Sequence, residues 1–213
     1  MDYKQKLLDI LYEYSFKYDP HQGFKLACGK TSDVYIDSKK TTYRADAMEA
    51  IGNIFFEKIK DASVDGIGGL TLGADPIAYA TALISNLKGK PLEVFVVRKE
   101  PKQHGTMQQI EGPLTKGAKV VVVDDVVTTG GSTIEAIKRA KEKGFEIKKV
   151  LVLVDRQEQN GLENIEREAG CEVEAIFTKE ELLERLKKQG IKKNTDKISK
   201  RRGNTRCLLQ PLS

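Results

Sequence analysis

The chain has 213 residues, 39% hydrophobic and 31% charged, which suits a single α/β domain with a full core and excludes a collagenous or wholly disordered protein. No apolar run approaches the roughly 18 residues of a membrane span. Three scattered cysteines (Cys28, Cys171, Cys207) without a CxxC pair argue against a disulfide framework or a zinc site, and for a reducing, cytoplasmic setting. The net charge of +5 sits at one end: nine Lys or Arg and one acid from Lys187 to Ser213 leave the rest of the chain at −3. That body is slightly acidic, so no nucleic-acid partner is expected of it.

In chain order, Met1-Asp2-Tyr3-Lys4 leads into an amphipathic pattern rather than a signal-peptide core. Tyr3, Leu7, Leu8, Ile10, Leu11 and Tyr14 recur at helical spacing and predict a helix from 3 to about 16. Strand-like pieces at 23–27 and 34–36 flank a turn at Cys28-Gly29-Lys30. A second helix follows over 45–60. Strands are then expected at 64–68, 93–97, 119–124, 148–154 and 171–177, with helices at 74–87, 132–143, 161–169 and 179–188. Residues 120–123 and 150–154 are almost unbroken Val and Leu, the composition of strands buried on both faces. This alternation predicts a doubly wound, mostly parallel α/β sheet flanked by helices, with ligands at the carboxyl ends of its strands. One domain over 1–190 is expected, with a small N-terminal hood from about 1–45 joined by the last helix, and a basic, disordered tail over 191–213.

The strongest chemical signal is Val123-Asp124-Asp125-Val126-Val127-Thr128-Thr129-Gly130-Gly131-Ser132-Thr133, where a buried strand ends in two carboxylates and passes through a Thr/Gly loop into a helix. Glycines let backbone N–H groups converge on an anion, hydroxyls add donors, and the helix N-terminus adds partial positive charge. With no Lys after the glycines and no GxGxxG, neither a nucleotide P-loop nor a dinucleotide site fits. Carboxylates beside a bound phosphate need donors or a cation to face, and a ribose diol bridged by hydrated Mg²⁺ offers both. The plainer alternative is an acidic strand end that caps the next helix.

This segment resembles the motif by which type I phosphoribosyltransferases bind 5-phosphoribosyl-1-pyrophosphate (PRPP). The resemblance implies that Asp124 and Asp125 face the ribose hydroxyls, while Thr128, Thr129, Gly130, Gly131 and Ser132 wrap the 5′-phosphate, with Val126 and Val127 also among the PRPP-binding residues. It also implies Mg²⁺ held mainly by PRPP, with both aspartates reaching it through water.

Between the strands at 93–97 and 119–124 lie about twenty residues without helical period, a length typical of functional lids or disordered segments. They open on Arg98-Lys99-Glu100-Pro101-Lys102-Gln103-His104-Gly105. Arg98, Lys99, Lys102 and His104 could stabilise a departing pyrophosphate, and a closed lid would exclude water; a solvated charged hairpin is the alternative. Arg-Lys-Glu-x-Lys-x-His-Gly is similar to the catalytic loop of orotate phosphoribosyltransferases, which implies a homodimer whose loops reach into each other's active sites.

Residues 23–37 are similar to that family's N-terminal substrate region, and Val154-Asp155-Arg156-Gln157-Glu158 to its pyrimidine-recognition segment. Arg156 and Thr128 are implied to contact orotate, whose carboxylate suits a guanidinium; an ion pair of Arg156 with Glu158 or Asp155 is the alternative. The chain departs from the family where some members carry Lys: Ala27 stands at one such place, with Lys25 nearby, and Gly73 at another. The expected reaction is orotate plus PRPP giving orotidine 5′-monophosphate and pyrophosphate in pyrimidine synthesis. The rival readings are another base phosphoribosyltransferase of purine type, and a PRPP-binding regulator that holds nucleic acid through its tail.

Overall fold

The structure is a computed structural model that describes residues 2–25, 31–100 and 109–188. Ala27, the turn at Cys28-Gly29-Lys30, Lys102, His104 and the 191–213 tail lie outside the described residues.

In chain order the elements are α1 (Tyr3–Ile10), a π-helical turn (Leu11–Ser15), β1 (Phe16–Tyr18), β2 (Phe24–Lys25), β3 (Thr31–Ser32), β4 (Val34–Ile36), α2 (Lys39–Thr42) and α3 (Ala45–Ile59). There follow β5 (Gly66–Leu70), α4 (Asp75–Leu87), β6 (Glu93–Val97), β7 (Ile110–Glu111), β8 (Lys119–Val127), α5 (Gly131–Glu142), β9 (Glu146–Asp155), α6 (Gly161–Ala169) and β10 (Val173–Thr178). Residues 179–188 close the described chain as α7. No helix among them is long and apolar enough to cross a membrane.

A six-stranded sheet runs in the order β10-β9-β8-β5-β6-β7, parallel except for β7. Strand alternation divides its core into two layers. Val121, Val123, Leu151 and Leu153 point to one face, under Ile51 and Phe55 of α3, Ile77 of α4 and Leu7 of α1. Val120, Val122, Val150 and Val152 point to the other, under Ala136 and Ile137 of α5 and Ile165 of α6. The four consecutive valines Val120 to Val123 of β8 are essentially inaccessible, and each stabilises the fold by roughly 1.5–3 kcal/mol of transfer free energy. Both faces are covered, as the unbroken apolar runs require.

The order of strands reverses between β5 and β8, and there the sheet opens. β5 pairs with β8 only from Gly66↔Val120 to Gly68↔Val122, whereas β9 stays with β8 to Val127↔Asp155. β8 therefore runs past Asp124, where the sequence pattern ends the strand, because β9 continues to supply hydrogen-bond partners. The backbones are close at this point: a Cβ on Gly69 would stand 2.2 Å from the Val123 carbonyl oxygen. A small hood packs over the opening, with β1 antiparallel to β4 (Phe16↔Ile36) and a 2.7 Å hydrogen bond joining Ser15 and Thr41. The short β1, β3, β7 and α2 carry no periodicity long enough to be read from sequence.

Candidate active site

Because β8 continues as a strand, its two carboxylates face opposite ways. Asp124 follows Val120 and Val122 to the α5 side, where it is 4% exposed. Its Oδ2 accepts from the Thr133 hydroxyl at 2.6 Å, and its Oδ1 accepts from the Asp125 N–H. Burial, and then the neighbouring Asp125 carboxylate, push the Asp124 carboxyl up to about 7, against the pull of Thr133. Asp125 follows Val121 and Val123 to the hood side. Its Oδ2 accepts from buried Ser38, at the start of α2, and its Oδ1 from the Val126 N–H at 2.9 Å. Gly73 lies directly against it, and a Cβ there would stand 2.5 Å from Asp125 Oδ1. A residue without a side chain at this position lets the loop meet the carboxylate.

The raised carboxyl has a consequence for stability. Folded Asp124 holds its proton up to about pH 7, whereas the unfolded group releases it near 3.8. Stability therefore falls as pH rises from about 4 to about 7, and the cost is complete above that. Asp124→Asn is expected to stabilise the ligand-free protein by about 1–3 kcal/mol at pH 8. At pH 4 the two melting temperatures should converge; thermal unfolding at both pH values checks this.

The Thr/Gly loop is shaped from three sides. Gly130 has φ +83°, and a Cβ on it would meet Ile165 Cγ1 at 2.7 Å and the Gly161 carbonyl oxygen at 2.8 Å, so glycine is required by both backbone and space. The Thr129 hydroxyl accepts from the Gly131 N–H, and Asn164 of α6 donates to the Thr129 carbonyl. Thr128 is half-buried, whereas Thr129, Gly131 and Ser132 are exposed. The first α5 N–H to bond within the helix is that of Ile134, to the Gly130 carbonyl; the N–H groups before it form an anion-binding terminus. Val126 and Val127 complete β8, Val127 buried and pairing with Asp155.

Arg98 and Lys99 follow the end of β6. They line a cleft of about 500 Å³ with Thr71, Tyr79 and Glu111. Arg98 Nη1 lies 3.4 Å from Glu111 Oε1. The Arg98 and Lys99 carbonyls both accept from Arg139 of α5, which the sequence reading missed. Arg139 thereby ties the root of the basic loop to the helix that opens at the Thr/Gly loop. Arg156 stands at the end of β9, where it was expected, but is 4% exposed rather than on the surface. Its Nη2 donates to the Val34 carbonyl at 2.9 Å and to Ser32 at 3.1 Å, and it is ion-paired with Glu158. Ser38, Arg139 and Glu158 act across 87, 41 and 2 residues of sequence, and the first two carried no local signal.

A sheet opening flanked by two carboxylates, an anion loop and a cationic cleft defines the phosphoribosyltransferase class. The phosphoribosyl transferase domain family matches residues 42–185. An orotate phosphoribosyltransferase of Aquifex aeolicus is 45% identical over 180 residues, covering 84% of this chain and 97% of that one. Among solved structures, Mycobacterium tuberculosis orotate phosphoribosyltransferase in complex with Fe(III) dicitrate superposes with a TM-score of 0.72 at 33% identity, covering 84% and 98% of the two chains. The same enzyme in complex with PRPP gives 0.67 at 29% identity, covering 85% and 92%. The chain belongs to the orotate phosphoribosyltransferase family.

Proposed function

We propose that this chain transfers the phosphoribosyl group of PRPP to orotate, giving orotidine 5′-monophosphate and pyrophosphate in the cytoplasm. The observation that carries the reading is the opening between β5 and β8, with Asp124 and Asp125 on its two sides and the Thr128–Ser132 loop at its end. The loop and the α5 terminus hold the 5′-phosphate, and the carboxylates orient the ribose diol. Arg98, Lys99, Lys102 and His104 serve the pyrophosphate, and Arg156 with Thr128 the orotate. The ring nitrogen of orotate forms its bond to the anomeric carbon as the carbon–oxygen bond breaks, the electron pair leaves with pyrophosphate, and the proton of that nitrogen passes to the departing pyrophosphate or to water. Positioning and charge stabilisation supply most of the acceleration, so no dedicated strong base is needed.

Mg²⁺ fits this donor set as a guest of PRPP. Among the described residues no three His, Cys, Asp or Glu side chains are grouped to hold a metal ion. Asp124 and Asp125, each already hydrogen-bonded within the protein, would reach it through water. Bound there, it neutralises charge on the pyrophosphate.

Homodimer formation belongs to the same reading. Tyr43, Met48, Leu72, Tyr79, Leu83 and Leu87 are between 39% and 71% exposed, a density of large apolar side chains that marks interaction surfaces. Tyr79 lines both the groove between α3 and α4 and the cationic cleft, so a second copy seated on the groove would reach the reaction site. Leu83→Glu is expected to convert dimer to monomer at micromolar concentration in sedimentation analysis and to lower turnover with it.

The direct test is the loss of orotate absorbance on mixing protein, PRPP, Mg²⁺ and orotate. Mg²⁺-dependent loss is expected; no loss with orotate but turnover with purine bases would move the acceptor.

A further inference from the structure

Arg156 raises a physical question that its role toward orotate does not answer. A guanidinium that is 4% exposed needs a counter-charge and fixed partners, whether or not an acceptor is bound. Glu158 supplies them from two residues away. Its Oε2 lies 3.4 Å from Arg156 Nε and its Oε1 3.4 Å from Arg156 Nη2, so one carboxylate spans one edge of the guanidinium. The same Oε1 accepts from Ser32 at 3.3 Å and from Lys179 of α7 at 3.1 Å. Burial pushes the Glu158 carboxyl up, but hydrogen bonds from Lys179 and Arg156 outweigh it and hold it below its ordinary value. Asp155, the other nearby carboxylate, is turned away to accept from the Gln157 N–H.

Three elements therefore meet on Glu158: the hood through Ser32, the end of β9 through Arg156, and α7 through Lys179. The Nε and Nη2 edge of Arg156 is committed to Glu158, Ser32 and the Val34 carbonyl. Nη1 makes no hydrogen bond among the described residues. An arginine held by one edge presents the rest of its fork in a single orientation, which a free side chain would reach only by losing rotamer entropy on binding.

We infer that Glu158 is the positioning residue for acceptor recognition: it locks the inner edge of Arg156 and thereby aims the Nη1 side at the orotate carboxylate. Lys179 is its outer support, holding the carboxylate on Arg156. This inference rests on the assignment of Arg156 to orotate and adds the group that makes that contact selective. Acceptor binding depends on Glu158, whereas PRPP binding, assigned to the Thr/Gly loop and the cleft after β6, does not.

The test is steady-state kinetics of Glu158→Gln, Glu158→Asp and Arg156→Ala, with each substrate varied in turn and folding checked by thermal unfolding. Glu158→Gln keeps the shape and removes the charge. It is expected to raise KM for orotate about tenfold, equivalent to about 1.4 kcal/mol, with KM for PRPP and kcat within twofold of wild type. Glu158→Asp, which keeps the charge on a shorter arm, should recover part of that loss. Arg156→Ala should raise KM for orotate further than either. If Arg156→Ala raises KM for orotate while both Glu158 variants leave it within twofold, the positioning role is wrong and the Arg156 assignment stands. If Arg156→Ala also leaves it unchanged, the assignment of Arg156 falls and this inference with it. Equal increases in both KM values would mean a general loss of structure and would overturn the inference as well.

Discussion

Asp125→Ala is expected to lower kcat/KM for PRPP by about 10²–10³, the consequence of losing two charge-assisted hydrogen bonds at roughly 1.5–3 kcal/mol each. The prediction follows from the direction in which the carboxylate points. Asp124 is sealed against α5 by Thr133, but Asp125 stands at the open side of β8, against Gly73 and Ser38. Of the two, it has the freer approach to a ribose diol in the sheet opening. Stability should move little. The change leaves the Ser38 hydroxyl without its acceptor, costing about 1 kcal/mol, but it also removes a like charge from beside buried Asp124, which works the other way. Asp125→Asn, which preserves an acceptor for Ser38, separates the two effects: melting should match wild type while kcat/KM stays low. A kcat/KM within fivefold of wild type in Asp125→Ala would remove the ribose role from this residue.

How much of this site could be read from the sequence depends on the distance over which each part acts. The β8–loop–α5 segment is contiguous, and its apolar run, glycines and helix start are each set by local chemistry, so the strand–loop–helix order of this segment was legible. The opposite facing of the two aspartates was not. It depends on β8 continuing to Val127, which is decided by pairing with β9 and has no local signature. Arg156 could be placed at a strand end, yet its burial comes from Ser32 and Val34 of the hood, more than 120 residues away. The pair with Glu158 was foreseen only as a surface contact competing with a functional one. In the folded chain the two are compatible, because the ion pair uses one edge of the guanidinium and leaves another. Arg139 was not legible at all: on α5 it reads as one more solvated cation, and only the fold brings it to the Arg98 and Lys99 carbonyls.

Lys102→Ala is expected to lower kcat by about 10²–10³ while KM for PRPP changes severalfold at most, the pattern for a group whose stabilisation grows as the leaving group gains charge. On the proposed reading, ground-state binding of PRPP is already served by the Thr/Gly loop, the carboxylates, and Arg98 and Lys99, which line the cleft after β6. A further cation improves chiefly the state in which pyrophosphate carries the departing electron pair. Unchanged kcat would sink the assigned role of the segment. The two variants also test sharing of sites between subunits. If the basic segment of one copy serves the carboxylates of the other, a mixed dimer of Lys102→Ala with Asp125→Ala has one site with neither defect and one with both. Mixing the two nearly inactive proteins, with time for subunits to exchange, should then restore about a quarter of wild-type activity, since about half of the dimers are mixed and each has one intact site. If each copy instead uses its own basic segment, every site in every dimer carries one defect and mixing restores nothing.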